Sequence, residues 1–80
     1  MLYRLCLFLV RSLASDPDAV LIDHIETEKV DIFFLHVGGD DRGRLLGKRG
    51  RTIGALRTFL AGVSARLGRE VVIELVDRSQ

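Results

Sequence analysis

Asp41-Arg42-Gly43-Arg44-Leu45-Leu46-Gly47-Lys48-Arg49-Gly50-Arg51 is the stretch from which the rest of this 80-residue chain is read. It holds a G-x-x-G from Gly47 to Gly50 with two cations at the tip, set between two helical patterns. Upstream, Asp40 or Asp41 fits the N-cap of a short helix that runs through Leu46. Downstream, a helix starts near Arg51, carries Ile53, Leu56, Leu60, Val63 and Leu67 on one face, and stops at Gly68. Paired glycines give the turn access to positive φ and let a ligand backbone approach with no Cβ in the way. The second helix aims unsatisfied N–H groups and a partial positive charge at the same place. A Walker-type phosphate loop is excluded: the glycine spacing is too short, Arg49 stands where Ser or Thr is needed, and the context is wrong.

Upstream of this stretch, Val20–Glu26 is rich in β-branched residues and Val30–Val37 is a second apolar run, so both read as strands. The polar Thr27-Glu28-Lys29 between them suits a hairpin. In the second strand Phe33, Leu35 and Val37 alternate with Ile32 and Phe34, which predicts cover on at least part of both faces. Gly38-Gly39 ends it. Past the long helix, Val71, Ile73 and Leu75 alternate as a final strand. At the N-terminus Leu2, Leu5, Leu9 and Leu13 recur at helical spacing until Ser15-Asp16-Pro17-Asp18 stops the pattern. The uninterrupted apolar run from Leu5 to Val10 is shorter than the roughly 7–15 residues of a signal peptide and far short of a membrane span. The order α-β-β-α-α-β predicts one α+β domain over residues 1–80, a three-stranded sheet with three helices packed on one face.

Composition narrows the function. With 48% apolar residues and one proline, the chain is built to fold, but at this length its single core leaves little room for a deep catalytic cleft. Cys6 has no partner for an internal disulfide and suits a reducing cytoplasm, and with His24 and His36 it has no zinc-like spacing. No nucleophile, base and orienting group fall together, so no catalytic residue, metal or cofactor is expected. Charge is strongly segregated. Between Ser15 and Asp41 eight residues are acidic and only Lys29 is basic; between Arg42 and Arg69 eight are basic and none is acidic. That predicts an electropositive surface for an anionic partner. The alternative, in which the halves neutralise each other as surface salt bridges, explains less well why five of the cations crowd between Arg42 and Arg51.

A G-x-x-G with a basic tip between two helices resembles the signature of a KH domain, whose loop clamps the backbone of roughly four single-stranded nucleotides. Two strands before the helix pair and one after it match the type II, prokaryotic arrangement. The resemblance covers the whole chain, including the Asp16-Pro17-Asp18 elbow and the Glu70 to Asp77 ending. It is closest to the small stand-alone bacterial RNA-binding proteins of the KhpA (YlqC) family. The resemblance implies a cytoplasmic RNA-binding protein, a post-transcriptional regulator or RNA chaperone. Such proteins self-associate and pair with a larger KH-containing protein, KhpB (Jag). It further implies that Gly47, Lys48, Arg49 and Gly50 form the clamp, with Arg44 and Arg51 as flanking phosphate contacts. Gly43 would permit close approach along the preceding helix, and Leu46 would line an adjacent apolar groove.

A protein-interaction adaptor with incidental nucleic-acid affinity is the rival from a different class, but it has no need of Lys48, Arg49 and three nearby arginines. Single-stranded DNA is open as a ligand, since no residue reads a 2′-OH. A homodimer is expected on the side of the last helix opposite its apolar face. Gly54, Thr58, Ala61, Gly62 and Ala65 there are small and uncharged, where a solvated face would carry Lys and Glu. The competing dimer surface is the outer sheet face with Leu21, Ile32 and Phe34.

Overall fold

A computed structural model describes residues 2–76, apart from the side chain of Lys48; Asp77 and the residues after it lie outside the described residues. Helix α1 (Leu2–Leu13) leads through a single 3₁₀ turn (Pro17–Ala19) into strands β1 (Leu21–Glu26) and β2 (Val30–His36). Helix α2 (Gly39–Leu46), a second 3₁₀ turn (Lys48–Gly50), helix α3 (Arg51–Arg66) and strand β3 (Glu70–Leu75) follow. The expected order α-β-β-α-α-β is what the chain forms. The sheet runs β1-β2-β3, with β1 antiparallel to β2 and β3 parallel to it. Pairing two parallel strands requires a crossover, and α2 with α3 supplies it.

Alternation along β2 decides the layers. Phe33 and Leu35 are fully buried under the helices, with Ile73 of β3 beside them. Ile32 and Phe34 point to the open face and are half-buried, so the helices cover one face only. Across that face run the rows Ile25–Ile32–Val72 and Asp23–Phe34–Glu74. Leu21 is 62% exposed there.

On both long helices the buried line differs from the leucine periodicity. In α1 it is Leu2, Cys6 and Val10, while Leu5 and Leu9 are half-buried and Leu13 is 47% exposed. The helix is rotated so that the two smaller apolar side chains lie closest to the sheet; Cys6 acts as a small hydrophobe, and burial pushes its thiol pKa up to about 12. In α3 the line Ile53, Leu56, Leu60 ends in Ser64, while Val63 is half-buried and Leu67 is 45% exposed. Leu67 is the C-cap, and the chain turns away at Gly68, whose φ is 71°. The Gly68 amide donates to Ala65 and the Arg69 amide to Ser64, the paired bonds of a Schellman motif. Ser64 is satisfied in the core because its hydroxyl donates to the Arg69 carbonyl at 2.6 Å.

The N-cap of α2 is Gly38, so neither Asp40 nor Asp41 caps it; both lie in its first turn. Asp41 has another task. Its buried carboxylate accepts the Ser15 amide at 2.8 Å, the Ser15 hydroxyl at 2.9 Å and the Asp16 amide at 3.0 Å, tying the exit of α1 to the start of α2. The Ser15 and Asp16 amides hold its carboxyl below the ordinary range against the opposing effect of burial. A depressed folded pKa means stabilisation that is present above the ordinary value of about 3.9 and is lost as pH falls through the folded one. Asp41→Asn is therefore expected to lower the urea midpoint at pH 7 and to flatten its decline below about pH 4. Urea titrations across pH check this, and an unchanged acid slope would contradict it.

Candidate nucleic-acid interface

The reversal between α2 and α3 is made by left-handed backbone. The last turn of α2 closes with the Gly47 amide donating to the Gly43 carbonyl at 2.9 Å. Gly47 then takes φ 56° and ψ −166°, a region essentially closed to residues with a Cβ. Gly50, at φ 69° and ψ 24°, is the N-cap of α3. Both glycines of the motif thus have the positive φ expected of them. Arg49 adopts it too, at φ 61° and ψ 28°, which the sequence did not announce. A non-glycine residue held there costs roughly 1–2 kcal/mol and points its side chain out at the turn.

No side chain caps α3, and its first turn holds no acid. Its free N–H groups and partial positive charge are left for an external anion, whereas the first turn of α2 contains Asp40 and Asp41. Arg44, Arg49 and Arg51 are exposed around this point. Gly43 is exposed, and a Cβ built there meets nothing within 4 Å. Leu46 is 37% exposed at the end of α2. The structure therefore gathers Gly43, Arg44, Leu46, Gly47, Arg49, Gly50 and Arg51 at one end of the helix layer; the position of the Lys48 side chain lies outside the described residues.

Two of the eight downstream cations are structural. Arg57 donates to the Ile73 carbonyl at 2.9 and 3.0 Å, fixing α3 to β3. Arg69 donates to the buried Asp31 at 2.6 Å and to the Glu28 and Thr27 carbonyls, binding the hairpin turn to the start of β3. Among the described residues, Arg69 alone makes the ion pairs that join the acidic and basic segments. Mutual neutralisation of the halves thus accounts for one residue and not for the loop.

The histidines are held by acids. His36 lies 2.9 Å from Asp23 on the outer face. His24 lies 2.7 Å from Asp31 and stacks between Tyr3 and Phe33. His24, Glu26 and Asp31 come within metal-ligand distance of one another, but Asp31 already has one oxygen on His24 and the other on Arg69. Burial alone would raise the Asp31 pKa; the bonds from Arg69 and His24 lower it overall.

On α3, Thr58, Ala61, Gly62 and Ala65 are exposed and Gly54 is half-buried, so the small-residue stripe faces outward as expected. Gly54 touches nothing that a Cβ would disturb, so packing within the chain does not explain a glycine that costs about 1 kcal/mol relative to alanine. Phe59, at 53% exposure, stands beside the stripe and was not expected there.

The loop geometry separates its two glycines. A Cβ at Gly47 would lie 3.2 Å from the Thr52 hydroxyl in a backbone region reserved for glycine, while at Gly50 the nearest contact is 3.9 Å. Gly47→Ala is expected to destabilise the fold by about 1–3 kcal/mol and Gly50→Ala by less. Urea denaturation of the two variants tests the order, and equal losses would contradict it.

The comparisons with known proteins agree with this arrangement. Residues 4–75 match the family described as KhpA/KhpB, KH domain. The chain is 40% identical over 70 residues to the RNA-binding protein KhpA of Borreliella burgdorferi, covering 88% of this chain and 85% of that one. It is 39% identical over 72 residues to the protein of that name from Mycobacterium bovis, covering 90% and 86%. The corresponding protein of Aquifex aeolicus is 34% identical over 67 residues, covering 84% and 85%. No solved structure matches. These relatives are named for binding and not for catalysis, and the element order is that of a type II KH domain. A match reaching from the first helix to the last strand, loop included, places the chain in the KhpA/KhpB family of KH domains.

Proposed function

We propose that this protein binds single-stranded RNA by clamping its sugar-phosphate backbone at Gly47-Lys48-Arg49-Gly50, acting in the cytoplasm as a post-transcriptional regulator or RNA chaperone. The observation that carries the reading is the left-handed loop that opens onto the uncapped, acid-free first turn of α3. Backbone N–H groups and the cations Lys48, Arg49, Arg44 and Arg51 suit phosphates. Gly43 keeps the approach along α2 open, and Leu46 offers an apolar contact for a base. The naming of the relatives as RNA-binding proteins supports the ligand.

Lys48→Asp with Arg49→Asp is expected to abolish binding of single-stranded RNA and leave the circular dichroism spectrum unchanged. Binding by the parent protein should weaken with salt at a log–log slope of roughly −0.7 per phosphate contact. Full binding after the charge reversal would favour an adaptor that works through protein contacts.

A footprint of about four nucleotides limits affinity, so a second copy or a KH-containing partner such as KhpB would add strength through effective concentration. The exposed stripe Gly54, Thr58, Ala61, Gly62 and Ala65 is the surface we assign to self-association, since small residues let two helix backbones approach closely. Ala61→Glu is expected to give a folded monomer by light scattering, and Phe34→Glu to leave the dimer intact. The reverse outcome would move the contact to the outer sheet face.

A further inference from the structure

We infer that the groove between α1 and α3 is a second RNA contact that takes bases of the same strand after it leaves the loop; the inference rests on the clamp reading above. The groove has a volume of about 460 Å³ and is lined mainly by Leu9, Leu13 and Phe59, with Ser12, Arg51 and Thr52 as its polar lining. That size lies within the roughly 300–1,000 Å³ of sites that hold small ligands. Its walls are open to a ring. The Phe59 side chain is 53% exposed, Leu13 47% and Phe8 of α1 66%, while Leu2, Ile53, Leu56 and Leu60 of the same two helices are buried.

Charge selects the occupant. Neither α1 nor α3 contains an acidic residue, while between them they carry Arg4, Arg11, Arg51 and Arg66, besides Arg57, which is held on the Ile73 carbonyl. Arg4 and Arg11 border the neighbouring depression along α1, next to Phe8. A basic apolar segment would meet Arg51 at the groove and Arg4 and Arg11 along α1. An anionic strand carrying flat apolar rings matches both the rim and the wall, because a base stacks on an aromatic face whatever its identity. Continuity selects RNA among anionic ligands. Arg51 lines the groove and also directly follows Gly50, so a strand gripped at the loop passes the mouth of the groove. Of the acids in the sheet, Asp23, Glu70 and Glu74 point from the opposite face; on the helix-side face Asp31 is taken up by His24 and Arg69, and Glu26 lies near the same arginine.

The test compares an RNA octanucleotide with one of equal length and charge that has two abasic nucleotides at each end, by fluorescence anisotropy on the full chain. The parent protein is expected to bind the intact strand about five- to tenfold more tightly. Phe59→Ser and, separately, Leu13→Glu should bring that ratio to about one, with the abasic-ended strand bound as in the parent by Phe59→Ser. A ratio that stays high in both folded variants would overturn the proposal. So would a Phe59→Ser protein that changes its oligomeric state without RNA, because the groove then receives another protein chain. Loss of binding to phosphatidylglycerol vesicles in Phe59→Ser with the RNA ratio intact would overturn it in favour of a membrane. If the parent binds both strands equally, the groove fails and the clamp stands; if it binds neither, both fail.

Discussion

The reversal between α2 and α3 is closed by the Gly47 amide on the Gly43 carbonyl and by positive φ at Gly47, Arg49 and Gly50, and the placing of β3 follows from it. In a short span the chain must end one helix, turn and start another, so that β3 can return parallel to β2. Left-handed backbone at Gly47, Arg49 and Gly50 does this without a longer loop. The same geometry leaves the N–H groups at the start of α3 uncapped, since no side chain bonds to them and the first turn holds no acid. The topological solution and the anion-accepting site are therefore one piece of backbone.

Two buried carboxylates hold the frame around that turn. Asp41 accepts three hydrogen bonds from Ser15 and Asp16, so the exit of α1 is fixed to the helix that feeds the loop. Asp31 receives Arg69 and His24, and Arg69 also reaches two carbonyls of the hairpin turn. These pins join segments far apart in sequence, and in a chain of 80 residues with one modest core such joints set the relative positions of the layers. Each is polar, buried and satisfied by geometry, which is the condition for burying a carboxylate without a large penalty.

Charge then divides the molecule by layer. The sheet and its hairpin hold most acids, while α1 and α3 have none. An anionic strand approaching the sheet would meet Asp23 and Glu74, and one approaching the helices meets arginines. Over distances comparable with the Debye length of about 8 Å, this asymmetry orients an approaching polyanion before any contact forms.

Much of this was legible in the residues. Alternation in β2, the polar break at Thr27-Glu28-Lys29 and the glycines at 47, 50 and 68 are local signals, because backbone preference and side-chain period act within a few residues. They were enough for the element order, the fold class and the place of the loop. The tertiary structure alone decided which line of each helix is buried, since Cys6, Val10 and Ser64 are chosen by the shape of the sheet beneath them and not by leucine spacing. It decided that Asp41 serves Ser15 and Asp16 and not its own helix, because its partners lie some 25 residues away. It also tied Arg57 to the Ile73 carbonyl and Arg69 to Asp31, and opened the groove beside Phe59, as these depend on how α3 lies across its neighbours.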